Sequence, residues 1–127
     1  KPPASELDVK LVPGGLVDIE FLIHISQFHY RLGFDPDLGE ALAELVAAGH
    51  LPAELIPAQE LITRFLIVSR LVSPKSTEPP EATRPLVARA CGAADWDALL
   101  ESYAKARQSV GDAWRALAAP YQEDKDA

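Results

Sequence analysis

The sequence has little of what marks secreted, membrane-spanning or nucleic-acid-binding proteins. Cys91 is its only cysteine, which excludes an intramolecular disulfide and removes any need for an oxidising compartment. Lys and Arg number 12 against 19 Asp and Glu, and the net charge of -7 opposes binding to a phosphate backbone. The longest apolar stretch, residues 61–72, is interrupted by polar side chains, so it is not a membrane span. We therefore expect a cytoplasmic protein without a membrane segment or a nucleic-acid partner.

Motifs that identify common enzyme classes are also missing. The sequence contains neither G-x-x-x-x-G-K, the phosphate-binding loop, nor G-x-S-x-G, the nucleophile motif of many hydrolases. The three histidines, His24, His29 and His50, are not spaced as metal ligands with Cys91, so we expect no metal site in this chain. The chain begins Lys-Pro-Pro, without Met or a signal peptide, which suggests a fragment of a longer protein or a trimmed product.

Helical periodicity and capping residues predict an all-α fold. No segment alternates with the period of two that marks a strand, so we expect a helical bundle of about five helices, three long and two short. The long helices are predicted at residues 16–32, 52–73 and 96–119. Asp95 caps the last of them, and Pro120 is predicted to stop it.

The two short helices are predicted at residues 36–48, with Asp35 as the N-cap, and at 84–91, with Thr83 as the N-cap. The proline-rich stretch between the second long helix and Thr83 reads as a loop. These elements give a domain organisation of three parts, which are a linker at 1–13, a bundle at 14–119 and a disordered tail at 120–127. We expect the linker to be poorly packed against the bundle.

The segment LDVKLVPGGLVDIEF, residues 7–21, carries a cluster that a fold alone does not require. In one explanation Gly14 and Gly15 form the turn into the helix, Asp18 favours the helix dipole, and Glu20 pairs with His24. In the other, Lys10, the backbone N–H groups of the glycine turn and the two carboxylates face a phosphate or a metal. Residue pattern alone leaves both explanations open.

The helix that follows is apolar on two sides. One stripe comprises Val17, Phe21, Ile25, Phe28 and Leu32, and the opposite stripe comprises Leu16, Ile19, Ile23 and Tyr30. A polar row, formed by Glu20, His24, Gln27 and Arg31, lies between them. A helix with two apolar sides packs between neighbours, so we expect this helix to be central to the bundle.

Residues 7–21 resemble the signature that follows the catalytic domain in bifunctional glutamine synthetase adenylyltransferase/adenylyl-removing enzymes. Residues 41–72 resemble the helices that follow in that family. The sequence Val-Asp-Ile-Glu-Phe is similar to that of the adenylylating, C-terminal half of these enzymes. The related PII uridylyltransferases share the Lys and the Gly-Gly but diverge after the Asp. The family-signature residues, carried over by position, are Lys10, Gly14, Gly15, Asp18, Glu20 and Phe21. His24 departs from the family, which commonly has Gln there.

The resemblance implies an enzyme that transfers AMP from ATP to a tyrosine of glutamine synthetase with the help of Mg²⁺. It implies glutamine synthetase, the PII signal protein and an adjacent catalytic domain as partners. The family's Gly-Ser motif and its metal-binding Asp pair belong to that domain, so this chain alone should be inactive and hold no cofactor. The signature residues would line the active site, and Phe21 would anchor the core. Two alternatives are an interaction module that docks glutamine synthetase or PII, and the helical domain of a PII uridylyltransferase.

Overall fold

The protein is all-α over the residues that its computed structural model describes, which are 5–75 and 78–126, with side chains up to residue 120. The five helices of this part are α1 Leu16–Tyr30, α2 Leu38–Ala47, α3 Leu55–Val72, α4 Arg84–Ala90 and α5 Trp96–Asp126. A single 3-10 turn, Glu81–Thr83, precedes α4. Helices α1, α3 and α5 are long and α2 and α4 are short, as the sequence predicts.

Aspartate caps fix two of the helix starts. Asp95 accepts a hydrogen bond from the N–H of Ala98 at 2.8 Å, which confirms the predicted cap of α5. At α2 the cap is Asp37, which accepts from Glu40 at 2.9 Å. The predicted cap, Asp35, accepts instead from the N–H of Asp37, in the local turn that aspartate favours. Helix α2 therefore begins two residues later than the sequence predicts.

Thr83 and the end of α1 also differ from the predictions. Thr83 precedes α4, but its hydroxyl donates to the carbonyl of Pro80 at 2.7 Å and does not cap the helix. Helix α1 ends at Tyr30 because Arg31 already takes the left-handed conformation, with a φ of 52°. The sequence predicts the helix end at about Leu32, just before Gly33, which also has a left-handed backbone, with a φ of 75°.

Pro120 lies inside α5, so the predicted helix end is wrong. Proline removes one backbone N–H and crowds the carbonyl four residues earlier, which here is that of Ala116. Both residues are exposed, so water can reach the carbonyl that loses its partner. The helix continues to Asp126, and residue 127 lies outside the described residues.

The core centres on α3, which contacts the other four helices. Its buried face packs mainly against α5, and the ring of Phe65 meets the rings of Tyr103 and Trp96 edge-on at 5.0 and 6.0 Å. Helix α1 lies at the side of the bundle, because only its Ile19, Leu22 and Ile23 face is buried. The prediction that α1 is the central helix is therefore wrong.

The segment before α1 packs closely, contrary to the expectation for a linker. Val9 and Val12 are buried in the core, and Leu7 lies against it. The phenol of Tyr103 donates to the carbonyl of Glu6 at 2.7 Å, which ties the segment to α5. Residues 1–4 lie outside the described residues, so the predicted poor packing is wrong for residues 5–13.

Candidate functional site

The signature segment forms a closed turn in front of α1. The N–H of Leu16 donates to the carbonyl of Val9 at 2.9 Å, and the N–H of Val17 donates to the carbonyl of Lys10 at 3.0 Å. The N–H of Gly15 donates to the carbonyl of Val12 at 2.8 Å. The N–H groups of Leu16 and Val17, the first two of the helix, are therefore satisfied within the chain.

Both glycines are required by close packing of the backbone. Gly14 has a φ of 77°, and a Cβ there would collide with the carbonyl of Arg107 on α5. A Cβ on Gly15 would collide with the carbonyls of Val9 and Val12. The glycine pair thus lets the turn lie directly on α5, which is a structural reason for its place in the signature.

Asp18 holds this turn from inside the first helical turn. Its carboxylate Oδ2 accepts from the N–H of Gly14 at 2.7 Å, and the side chain is half-buried. Its backbone carbonyl accepts from the indole Nε1–H of Trp114 at 2.9 Å. Asp18 therefore joins the turn, α1 and α5, in agreement with the structural explanation of this residue.

Lys10 and Glu20 differ from the rest of the cluster because neither side chain has a partner among the described residues. Lys10 is exposed, and only its backbone carbonyl takes part in the turn. Glu20 is half-buried and lies two residues beyond Asp18, so it points to a different side of the helix. The structure brings Lys10, Gly14, Gly15 and Asp18 together, but not Glu20.

A family model described as GlnD PII-uridylyltransferase matches residues 2–118. The chain belongs to this family. The match covers all five helices apart from the last residues of α5, so the family assignment applies to the bundle as a whole.

Similar proteins carry the name bifunctional glutamine synthetase adenylyltransferase/adenylyl-removing enzyme, which confirms the resemblance seen in the sequence. The one from Caulobacter vibrioides is 33% identical over 92% of this chain, and that from Xanthomonas axonopodis pv. citri is 36% identical over 89%. The protein from Rhizobium meliloti is 35% identical over 85%. This chain spans only 12 to 13% of the length of these relatives. No solved structure matches the chain significantly.

The polar row of α1 serves the helix end in this member of the family. The Gln27 amide is buried and donates through Nε2 to the carbonyl of Gly33 at 2.5 Å. Its oxygen lies 3.0 Å from Nδ1 of His24, which requires the proton of that histidine to be on Nδ1. The i,i+4 pairing of Glu20 with His24 does not form.

Phe21, the last residue of the signature segment 7–21, is not a core anchor. Its side chain is 56% exposed, so that prediction is wrong. Ile25 and Phe28 are also exposed and lie on the same face of α1. The core contribution of α1 comes instead from its Ile19 and Leu22 side.

Sequence reasoning missed a cleft between the N-terminal segment and α5. It has a volume of about 440 Å³ and contains two arginine–aromatic pairs. The guanidinium of Arg84 lies 5.2 Å from the centre of the Trp96 ring, and that of Arg107 lies 5.5 Å from the centre of the Tyr103 ring. Arg107 also donates through Nε to the carbonyl of Pro13 at 2.9 Å. No local sequence pattern predicts this cleft, because its residues come from distant parts of the chain.

The part of the chain that the structure describes contains neither a group of metal ligands nor a membrane-spanning helix. No three His, Cys, Asp or Glu side chains lie close enough there to hold a metal ion. None of the helices in this part has the length and apolar character needed to cross a bilayer.

Proposed function

We propose that this chain is the helical domain that follows the catalytic domain in the adenylylating half of a glutamine synthetase adenylyltransferase. The full-length protein would transfer AMP from ATP to a tyrosine of glutamine synthetase in the cytoplasm, with PII as a further partner. The observation that carries this proposal is the 33 to 36% identity to bifunctional adenylyltransferases over most of the chain. The sequence of residues 17–21, Val-Asp-Ile-Glu-Phe, supports assignment to the adenylylating half.

The preceding domain would hold ATP and Mg²⁺, because the resemblance places the metal-binding Asp pair of the family there. When bound, Mg²⁺ neutralises phosphate charge and favours phosphoryl transfer. This chain would contribute the exposed Lys10, whose ammonium is free to offset phosphate charge, and a turn that fixes where Lys10 stands. Gly14, Gly15 and Asp18 would act by holding that turn, since the N–H groups of Gly14 and Gly15 already have partners.

A PII uridylyltransferase is the second candidate, because the family model that matches the chain carries that name. The full-length protein is incubated with labelled ATP or UTP, Mg²⁺, and either glutamine synthetase or PII. We expect AMP on glutamine synthetase and no UMP on PII. Transfer of UMP to PII would reverse the assignment. Binding to either protein without nucleotide transfer would favour a docking module.

The isolated 127-residue chain is the matched control in the same assay. We expect it to transfer neither nucleotide, since the catalytic Gly-Ser motif of the family is absent from its sequence. Activity of the isolated chain would contradict the proposed division of labour between the two domains.

A further inference from the structure

Helix α1 exposes an apolar surface that the fold itself does not use. Phe21, Ile25 and Phe28 recur at the spacing of one helix face, and we name them the outer face of α1. Phe21 is 56% exposed and Phe28 is 78% exposed. Single exposed apolar residues are common, but three large side chains in a row on one helix indicate a binding surface.

The outer face continues into a groove between α1 and α5. The groove has a volume of about 260 Å³ and is lined by Ile25, His29, Trp114, Leu117 and Ala118. None of these side chains is a carboxylate, an ammonium or a guanidinium. A surface with an apolar centre and no charged residue is typical of a permanent interface, and it is costly to leave in water.

We propose that the outer face of α1 and this groove pack on the nucleotidyltransferase domain of the same polypeptide. This inference rests on the proposed function. The curated relatives are about eight times as long as the part that this chain matches, so most of a relative's chain lies outside the bundle. Phe21 also ends the signature segment and lies about one helical turn after Asp18, which holds the turn that carries Lys10.

The course of the N-terminal segment brings an upstream domain within reach of this surface. The segment follows α5, with Glu6 at Tyr103 and Pro13 at Arg107, and Trp114 of the groove lies further along the same helix. From Tyr103 to Trp114 the helix rises by about 16 Å. A domain of 100 residues has a diameter of roughly 30 Å, so one that joins the chain before Ser5 can cover the outer face.

Photo-crosslinking in the full-length protein tests this packing. Phe28 is replaced by p-benzoylphenylalanine, which keeps the aromatic ring, and the cross-linked peptides are identified by mass spectrometry. Leu71 on α3 provides the matched control, because it is 79% exposed and apolar but belongs neither to the outer face of α1 nor to the groove. The nucleotidyltransferase domain is recognised by its Gly-Ser motif and Asp pair, independently of any activity.

We expect position 28 to cross-link to a peptide of the nucleotidyltransferase domain in the same polypeptide, several-fold more than position 71 does. A cross-linked dimer that disappears on dilution would mean a second copy covers the face, and would overturn the proposal. Equal, low yields at both positions would overturn it as well. AMP transfer is measured on the unmodified protein. Cross-linking without AMP transfer would contradict only the proposed function. AMP transfer without a cross-link from position 28 would contradict only the proposed interface.

Discussion

At the scale of single residues, Gly14 and Gly15 are needed for different reasons. Gly14 combines a left-handed backbone with contact against the backbone of α5, whereas Gly15 is limited by the carbonyls of its own turn. The colliding atoms belong to the main chain in both cases, so a rotamer change cannot relieve them. The packing of this chain therefore requires glycine at both positions.

Substitution of either glycine by alanine should destabilise the isolated chain. We expect Gly15→Ala to lower the free energy of unfolding by about 1–3 kcal/mol through overpacking. Gly14→Ala should cost about 1–2 kcal/mol more, because alanine resists the left-handed conformation. Urea unfolding followed by circular dichroism measures both.

Gly111→Ala on α5 is the matched control for these variants. Its nearest neighbour for a Cβ is the flexible end of Arg115, at 3.6 Å. Alanine in a helix interior is favoured over glycine by up to about 1 kcal/mol, so this variant should be neutral or more stable. Equal losses at positions 14, 15 and 111 would show that the turn does not lie on α5 as described.

Tyr103 should make stability fall at alkaline pH. Its pKa is raised to about 12, first by burial of the phenol and then by the carboxylates of Asp8 and Glu6, against the opposing effect of Arg107. Because the folded state holds the proton more tightly, the contribution is complete below the ordinary pKa of about 10. It is lost as pH rises towards 12.

Tyr103→Phe tests this dependence by removing the proton and the hydrogen bond to Glu6. We expect a loss of about 1 kcal/mol at pH 7 and a flatter decline in stability above pH 10. The urea midpoint is measured from pH 7 to pH 11. Tyr30→Phe is the control, since that hydroxyl makes no hydrogen bond with a described residue. Parallel alkaline declines in wild type and Tyr103→Phe would contradict the assignment.

At the scale of helices, the sequence predicts well which segments form helices. It predicts less well where each helix ends and which of its apolar side chains are exposed. The class and the three long helices follow from periodicity, and Asp95 marks the start of α5. The end of α5 cannot be predicted from the sequence. A proline that is tolerated at an exposed site, such as Pro120, has the same local sequence pattern as a proline that stops a helix. Nor does the exposure of Phe21 follow, because an apolar stripe that meets another domain looks like one that meets the core.

The turn before α1 shows the same limit for the candidate site. Pro-Gly-Gly ahead of a helix predicts a turn, and the pattern allows its N–H groups to face an anion. The structure occupies these donors with the carbonyls of Val9 and Lys10 and the carboxylate of Asp18. The partners lie four to seven residues away and depend on Val9 being buried, which a proline-rich segment does not predict.

Gln27 should be the most important polar residue for the end of α1. Gln27→Ala leaves the carbonyl of Gly33 without its amide partner in a buried place, and we expect a loss of about 1–3 kcal/mol. Gln108→Ala, at an exposed site on α5, is the control and should change stability little. Thermal unfolding of the isolated chain measures both. Similar melting temperatures for the two variants would contradict a buried role for Gln27.

At the scale of the whole molecule, α5 binds the signature segment into the bundle at three points along one helix. Tyr103 holds Glu6, Arg107 holds Pro13, and Trp114 holds Asp18. Each bond joins residues more than 90 positions apart in the sequence. A movement of α5 would therefore move the whole entry segment, and with it the position of Lys10.

This arrangement separates the roles of Asp18 and Lys10. Asp18→Asn keeps a side-chain oxygen that can accept from Gly14, so it should leave the stability of the isolated chain nearly unchanged. Asp18→Ala should lower it by about 0.5–2 kcal/mol, the usual cost of losing such a cap. Lys10→Ala should leave stability within about 0.5 kcal/mol, because the side chain is exposed and unpaired among the described residues.

The order of the same variants by their rate of AMP transfer in the full-length protein should differ from their order by stability. If Lys10 offsets phosphate charge in the transition state, Lys10→Ala should reduce the rate by at least about tenfold, which corresponds to about 1.4 kcal/mol. Lys105→Ala, which removes an exposed lysine from α5, is the control for net charge and should leave the rate unchanged. Asp18→Asn should reduce the rate only slightly, since the turn that carries Lys10 is preserved. A rate that falls with Asp18→Ala but not with Lys10→Ala would mean that the segment acts through the geometry of the turn alone.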